Sequence, residues 1–100
     1  VNKLLLWICE NGSFEKIYIA SNSSRENVDK IMSYHDINPN LFDGIITRDD
    51  VENKKPHPDM ANLIFQSNIY TEEEYLMVGD SEVDSTFARK NNIECILVKF

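Results

Sequence analysis

The sequence predicts an α/β protein with a doubly wound parallel β-sheet. Short, nearly continuous apolar runs alternate with amphipathic stretches, which is the pattern of parallel strands that helices cover on both faces. One hundred residues can build one hydrophobic core but not two, and an apolar share of 42% is ordinary for a globular chain. The chain is therefore expected to hold a single domain.

Four helices, four strands and one helical turn are predicted. The first helix covers residues 2–11 and ends at Gly12, which is well placed to adopt a left-handed conformation. A strand over residues 16–20 follows it. The other predicted elements are a helix over 24–35, a strand over 45–47, a helix after Pro58, a turn at 71–74, a strand from Tyr75, a helix over 81–91 and a strand over 94–98.

The helix after Pro58 is predicted to bury one face. Met60, Leu63, Ile64 and Ser67 recur there at helical spacing, so they are expected to face the core.

Composition and charge exclude some classes of partner. The formal net charge of −7 argues against nucleic acid, because binding a phosphate backbone needs a basic face. No apolar run approaches the roughly 20 residues of a membrane span, so no membrane is expected as a partner. Cys9 and Cys95 lie far apart within apolar patterns. Such cysteines are typical of reduced thiols, and a cytoplasmic location is expected.

Two carboxylates at the end of a predicted strand are the most informative pattern. The apolar run that begins at Leu76 ends in Gly79-Asp80, and Asp84 follows four residues after Asp80. Open α/β sheets bind ligands at the carboxyl ends of their strands, and paired carboxylates there suit a hard cation such as Mg²⁺. Alternatively, Asp80 and Asp84 could cap the next helix and favour its positive end. The pattern alone leaves both interpretations open.

The strand over residues 16–20 opens into small polar residues. Ser21, Asn22, Ser23 and Ser24 offer hydroxyls and backbone N–H groups at a strand-to-helix turn, which favours anion binding. Ser23 also stands three residues before a glutamate, the spacing of a capping box. Anion binding at Ser21 and helix capping at Ser23 are compatible.

A lysine lies in a loop that two prolines restrict. Pro56 and Pro58 limit the backbone around Lys55, which would hold this lysine at a defined place. A lysine is a good point charge for phosphate. Such a segment is also consistent with a solvated basic turn before a helix.

The three motifs, in this order, resemble those of the haloacid dehalogenase-like hydrolases, particularly the phosphoglycolate phosphatase and β-phosphoglucomutase branch. Residues 45–51 and 88–93 are also similar to that branch. The resemblance covers nearly the whole chain. It implies a Rossmann-like core domain that hydrolyses phosphate esters.

The resemblance also implies a role for each site residue. Ser21 would hydrogen-bond the phosphoryl group as the motif II residue, with Asn22 beside it. Lys55 would be the motif III lysine, which neutralises charge on the phosphate and the nucleophile. Asp80 would be the motif IV ligand of Mg²⁺. Asp84 would be the second acid, either a ligand or a supporting residue.

The nucleophile of the family is missing from this sequence. It is the first aspartate of an Asp-x-Asp motif after the first core strand, and no Asp-x-Asp occurs among these residues. Residues 6–13 align with that motif only if both aspartates are replaced. The gap between Ser13 and Ile17 is also too short for a parallel crossover, which needs roughly a dozen residues. Cys9 is therefore interpreted as a helix residue and not as a substitute nucleophile.

Residues 1–100 are accordingly expected to form a partial core domain with motifs II, III and IV. The chain would lack a cap domain and the central nucleophile strand, which leaves an incomplete Rossmann-like sheet. An upstream segment or another chain would complete this sheet, since open strand edges invite pairing.

The implied function is Mg²⁺-dependent hydrolysis of small phosphate monoesters through an aspartyl-phosphate, and the chain would be the C-terminal part of that enzyme. Lys55 and Asp80 would be catalytic, and a small phosphorylated metabolite would be the substrate. The alternative is a non-catalytic remnant or regulatory module that binds phosphate or metal. A generic nucleotide-binding domain is disfavoured because the Gly-x-Gly-x-x-Gly fingerprint is absent.

Two residues depart from the family pattern. Phe87 stands where a small residue is usual, so the last helix must find space for it. Asn92 stands where glycine is usual, and asparagine tolerates the left-handed conformation expected there.

Overall fold

The computed structural model describes residues 16–66 and 74–97. The chain divides into two compact units, one ending at Asp49 and the other beginning at Asp50. Each unit contains a pair of parallel strands within the described residues. Parallel pairing in both units agrees with the predicted α/β class. The predicted helix over 2–11, Cys9 and most of the turn at 71–74 lie outside the described residues.

The first unit is a strand–helix–strand arrangement. Strand β1 (Tyr18–Ala20) pairs with β2 (Gly44–Ile46), and helix α1 (Arg25–Tyr34) and a short 3₁₀ helix (Pro39–Leu41) connect them. Helix α1 buries Val28 and Met32, which are four residues apart and therefore share one face. Gly44 lies opposite Tyr18, and a Cβ at Gly44 would come within 2.8 Å of the Tyr18 ring.

Helix α1 begins one residue later than the capping-box spacing predicts. Ser24 is the N-cap, and its hydroxyl accepts the N–H of Asn27 at 3.1 Å. Ser23 belongs to the preceding turn, because its N–H donates to the Ser21 hydroxyl and its carbonyl accepts the N–H of Arg48. The prediction of Ser23 as the cap was therefore wrong.

Helix α1 ends in a Schellman motif without glycine. Asp36 follows the C-cap His35 and has a φ of 54°. The N–H of Ile37 donates to the Met32 carbonyl at 2.8 Å, and the N–H of Asp36 donates to the Ser33 carbonyl at 3.2 Å. These two bonds define the motif.

The second unit also joins parallel strands through a helix. Strand β3 (Leu76–Gly79) pairs with β4 (Glu94–Leu97), and helix α3 (Glu82–Lys90) lies between them in the sequence. Helix α2 (Asp59–Gln66) comes before β3. No helix in these described ranges combines the length and the apolar character that crossing a membrane requires.

The buried face of α2 differs from the predicted one. Met60 is fully buried as expected and Ile64 is half-buried, but Leu63 is 37% exposed. Ala61 is buried instead, so the buried face of the helix is rotated from the Leu63 side towards Ala61. Ser67 lies outside the described residues.

Helix α3 ends in the same way as α1. Asn92 has a φ of 58°, the N–H of Ile93 donates to the Ala88 carbonyl at 2.8 Å, and the N–H of Asn92 donates to the Arg89 carbonyl at 3.3 Å. The left-handed conformation expected of Asn92 is confirmed. Phe87 is only 3% exposed, so the fold accommodates the larger side chain.

Candidate functional site

The second unit contains a buried ion pair. The Nζ of Lys55 donates to Oδ1 of Asp84 at 2.7 Å, and the two side chains are 9% and 10% exposed. The residues are 29 positions apart in the sequence. Taking two charges out of water is unfavourable unless their geometry and further hydrogen bonds compensate. The pair therefore depends on the donors that surround Asp84.

The second oxygen of Asp84 supplies those further bonds. Oδ2 accepts the backbone N–H of Asp80 at 3.2 Å and the hydroxyl of Ser81 at 3.3 Å. Ser81 is the N-cap of α3, and Asp84 is the third helical residue. Asp84 thus reaches back to the residue before the N-cap and to the N-cap hydroxyl, and not to the N-cap N–H as the acid of a capping box does. Its negative charge still lies in the first turn of α3, where it is favourable.

The surroundings of Asp84 favour its ionised form. Burial opposes ionisation, but the hydrogen bond and charge of Lys55, with the Asp80 N–H and the Ser81 hydroxyl, outweigh it and hold the pKa of Asp84 below its ordinary value. Asp84 is therefore a carboxylate at neutral pH.

Gly79 provides the space that Asp84 occupies. A Cβ at Gly79 would overlap the Cβ of Asp84 and lie 2.7 Å from its Oδ2. The last residue of β3 must therefore lack a side chain for Asp84 to fold back against the strand end. Sequence reasoning identified the Gly-Asp turn but not this contact, whose only signal was the glycine directly before Asp80.

Asp80 follows β3 and is exposed. Among the described residues, no cluster of three or more His, Cys, Asp or Glu side chains is arranged to hold a metal ion. Two carboxylates are nevertheless enough for Mg²⁺, which is commonly bound through one or two carboxylates and keeps several waters. Both oxygens of Asp84 already have partners within the chain, whereas Asp80 is open to solvent. The chemistry of these two carboxylates is therefore compatible with Mg²⁺.

Hydrogen bonds between Asn53 and Asp59 join the two ends of the loop that carries Lys55. Oδ2 of Asp59 accepts the backbone N–H of Asn53 at 3.0 Å and its side-chain amide at 3.2 Å. Nδ1 of His57 lies 3.1 Å from Oδ1 of Asp59. The Lys55–Pro56 peptide bond inside this loop is cis. Asp59 therefore closes the loop, which fixes the point from which Lys55 extends to Asp84.

The turn that the sequence predicts to bind an anion lies in the first unit. Ser21 directly follows β1, and its N–H donates to the Ile46 carbonyl at 2.9 Å. Its hydroxyl oxygen accepts the N–H of Ser23 at 3.1 Å. Because a hydroxyl has one proton and two lone pairs, a bond accepted from Ser23 leaves the Ser21 proton available as a donor. This geometry suits an oxygen of a phosphate group.

Several N–H groups at this turn already have acceptors within the chain. The N–H of Ser23 donates to the Ser21 hydroxyl. The N–H of Arg25 donates to Oδ2 of Asp49 at 2.8 Å. That of Asn27 donates to the Ser24 hydroxyl. Fewer N–H groups of this turn are therefore available to bind an anion than the sequence predicts.

Two residues of the first unit were missed by sequence reasoning. Arg25 donates from Nη2 to the Ile45 carbonyl at 2.7 Å, and Asp49 accepts the N–H of Arg25. Asp49 lies in the segment 45–51 that resembles the family, but nothing in the local pattern connects it with residue 25.

The structure therefore brings together Lys55, Asp80 and Asp84 within the second unit. Ser21 and Asn22 belong to the first unit.

The chain belongs to the haloacid dehalogenase-like hydrolases, whose family pattern it matches over residues 2–98. Pyrophosphatase PpaX of Bacillus cereus is 35% identical to it over 69 residues, which are 69% of this chain and 32% of that protein. PpaX of Bacillus thuringiensis strain Al Hakam shows the same identity and coverage. The chain thus spans about a third of the length of these curated relatives.

Solved structures show the same fold. A hydrolase of subfamily IA from Geobacter sulfurreducens superposes with a TM-score of 0.78 at 23% identity, over 95% of this chain and 43% of that one. A protein from Thermotoga maritima, provisionally assigned as a β-phosphoglucomutase, superposes with a TM-score of 0.82 at 20% identity. The match covers 100% of this chain and 45% of that one. A magnesium-bound hydrolase from Bacillus subtilis superposes with a TM-score of 0.81 at 19% identity, over 97% of this chain and 42% of that one. The predicted family and the incomplete Rossmann-like α/β fold are confirmed.

Proposed function

We propose that this chain is the C-terminal part of the core domain of a Mg²⁺-dependent phosphatase, which hydrolyses small phosphate monoesters through an aspartyl-phosphate. The observation that carries the proposal is the cluster at the end of β3, where Lys55 is fixed by Asp84 and Asp80 stands open to solvent beside them. The names of the relatives, which include a pyrophosphatase, support a phosphate compound as substrate.

Lys55 would bind the phosphoryl group as a positioned charge. Its ammonium is held by a carboxylate at 2.7 Å, so it would meet the substrate with little reorganisation. Phosphoryl transfer depends mostly on positioning and on electrostatic stabilisation of the equatorial oxygens. A lysine that is already fixed supplies both.

Asp80 would hold the metal at the carboxyl end of β3. Mg²⁺, when bound, would offset the negative charge that gathers between the nucleophile and the phosphoryl group. Asp84 would keep Asp80 in place through the backbone N–H that it accepts. The nucleophile in this proposal is an aspartate outside these 100 residues.

Ser21 and Asn22 would donate hydrogen bonds to phosphoryl oxygens. The support is the Ser21 hydroxyl, whose acceptor side is engaged by Ser23 and whose proton remains available. Since neutral donors add no charge, these residues would mainly orient the phosphoryl group.

The decisive experiment measures hydrolysis of p-nitrophenyl phosphate and of pyrophosphate by the full-length protein with and without Mg²⁺. Asp80→Asn is expected to lower kcat by at least about a hundredfold, because the direct ligand is lost. The matched control is Glu82→Gln, which removes an acid from the first turn of the same helix and should leave turnover near the wild-type rate. Undiminished turnover of Asp80→Asn would remove Asp80 from the mechanism.

A second candidate is a regulatory module that binds phosphate or Mg²⁺ without turnover. It would use the same phosphate-binding and metal-binding residues as the enzyme but would lack the nucleophile. Calorimetric binding of inorganic phosphate by a natural full-length product that hydrolyses neither substrate would support this candidate over the enzyme.

We also propose that a further strand pairs beside β1 or β3. Within the described residues, β1 pairs with β2 alone and β3 with β4 alone. The strand would come from an upstream segment or another chain. A small phosphorylated metabolite is the proposed ligand, nucleic acid and membranes are not expected as partners, and a cytoplasmic location stays a prediction.

A further inference from the structure

We propose that Arg25 and Asp49 are positioning residues that fix the turn at 21–24 against the end of β2 and thereby set how Ser21 meets phosphate. The inference deepens the proposed function and rests on it. Neither residue would touch the substrate. Their effect would pass through the backbone of the turn.

The first observation is that Arg25 is held through both its main chain and its side chain. Its N–H donates to Oδ2 of Asp49 at 2.8 Å, and its Nη2 donates to the Ile45 carbonyl at 2.7 Å. Arg25 is the first residue of α1, directly after the N-cap Ser24. The two bonds therefore join the start of the helix to β2 and to the residues that follow β2.

The second observation is that backbone bonds run beside these two. The N–H of Ser21 donates to the Ile46 carbonyl at 2.9 Å, and the N–H of Arg48 donates to the Ser23 carbonyl at 3.1 Å. These four hydrogen bonds join residues 21–25 to residues 45–49. Two of them use the side chains of Arg25 and Asp49, so substitution of these residues can remove them while the two backbone bonds remain.

The third observation concerns how Asp49 is placed. Thr47 is fully buried, and its hydroxyl accepts the N–H of Asp49 at 3.3 Å. This bond shapes the backbone so that the Asp49 carboxylate meets the N-terminus of α1, where negative charge is favourable. Asp49 therefore takes an N–H that an anion would otherwise use. Phosphate contacts are directed to Ser21 and Asn22 instead.

Charge and positioning predict opposite results for Asp49. If this carboxylate were only a negative charge near the turn, its removal would strengthen binding of an anion. If it holds the turn, its removal weakens binding, because Ser21 no longer keeps its orientation. The direction of the change therefore separates the two roles.

The test uses the full-length protein with Arg25→Gln and Asp49→Ala, and with the milder Arg25→Lys and Asp49→Asn. The matched controls are Arg48→Gln, which removes a neighbouring guanidinium but keeps the backbone bond to Ser23, and Asp29→Ala, which removes an exposed acid from α1. KM and kcat for p-nitrophenyl phosphate and the inhibition constant of inorganic phosphate are measured well below each variant's melting temperature. Thermal melts confirm that the variants are folded.

Arg25→Gln and Asp49→Ala are expected to raise KM and the phosphate inhibition constant about tenfold, with kcat changed less and both controls near wild type. Arg25→Lys should recover part of the loss, since an ammonium can still donate to a carbonyl. The double substitution should cost less than the two single effects combined, because both act on one turn.

Tighter phosphate inhibition in Asp49→Ala, or wild-type constants in both variants of an active enzyme, would overturn the inference while leaving the proposed function intact. A wild-type protein that neither hydrolyses the substrate nor binds inorganic phosphate would overturn the proposed function, and this inference with it. If Arg25→Gln does not fold, the comparison of Arg25→Lys and Asp49→Asn with their controls decides the question by the same measurements.

Discussion

The ammonium of Lys55 and a carboxylate oxygen of Asp84 lie 2.7 Å apart with both side chains about nine-tenths buried. One residue comes from a loop and the other from the first turn of α3, so this contact joins the loop to the helix. The properties of this pair can be measured separately from catalysis.

Lys55→Met is expected to lower the free energy of unfolding by about 3 kcal/mol, because it leaves the buried Asp84 carboxylate without its counter-charge. It should also remove phosphatase activity. Urea denaturation of the full-length protein measures the first effect. Lys54→Met is the control, since it removes the exposed neighbouring lysine and should change stability by less than about 0.5 kcal/mol. Equal effects from the two substitutions would show that the pair is not specifically stabilising.

The ion pair should also make stability depend on pH. The pKa of Asp84 is lower in the folded protein than its ordinary value, so the unfolded chain binds the proton more readily. The contribution is complete above the ordinary carboxyl pKa of about 3.9 and is lost as pH falls through the lower folded pKa. Asp84→Asn should lose this part of the acid dependence. Urea midpoints in metal-free buffer across this range measure it, and parallel curves for the two proteins would contradict the expectation.

Gly79→Ala is expected to displace Asp84, because the added Cβ would lie 2.7 Å from Oδ2 and overlap the Asp84 Cβ. We expect a loss of about 1–3 kcal/mol in stability and a fall in kcat, since Lys55 would lose its fixed partner.

Gly44→Ala is the matched control for that substitution. Its Cβ would meet the Tyr18 ring at 2.8 Å in the other unit, so it should lower stability without removing the Lys55–Asp84 contact. A crystal structure of Gly79→Ala with the contact unchanged would show that the strand end moves instead of Asp84.

Asp36→Gly is expected to stabilise the protein by about 0.5–1 kcal/mol. Asp36 has a φ of 54°, which is unfavourable for a residue with a Cβ, and its negative charge lies at the negative end of α1. Asp36→Asn removes the charge and keeps the side chain, so it should recover only part of the gain. Thermal melts of the three proteins separate the two contributions, and an Asp36→Gly variant less stable than wild type would show that the backbone entropy of glycine dominates.

Local signals predicted the elements, whereas contacts distant in sequence escaped prediction. Helix α1 was expected over 24–35 and is found at Arg25–Tyr34, because helical periodicity and capping residues lie within the segment itself. Two adjacent serines carry nearly the same signal, so Ser24 could not be distinguished from Ser23 as the cap. The exposure of Leu63 depends on neighbouring elements and not on its own helix.

Prediction of the candidate site was limited in the same way to residues that are close in sequence. The sequence placed Asp80 and Asp84 together because both closely follow the end of one predicted strand. It gave no indication that Lys55 would pair with Asp84, since a separation of 29 residues is set only by the fold. Arg25 and Asp49 were missed for the same reason.

The left-handed residues that end α1 and α3 offer a practical advantage to the experimenter. Asp36 and Asn92 each adopt a backbone conformation that glycine adopts more easily, and each lies beyond the end of its helix that is remote from the candidate site residues. A glycine at either position is expected to offset part of the stability that substitutions at Lys55 or Gly79 remove. In such a background more of the protein stays folded while the rate is measured, so lost activity reports more directly on chemistry.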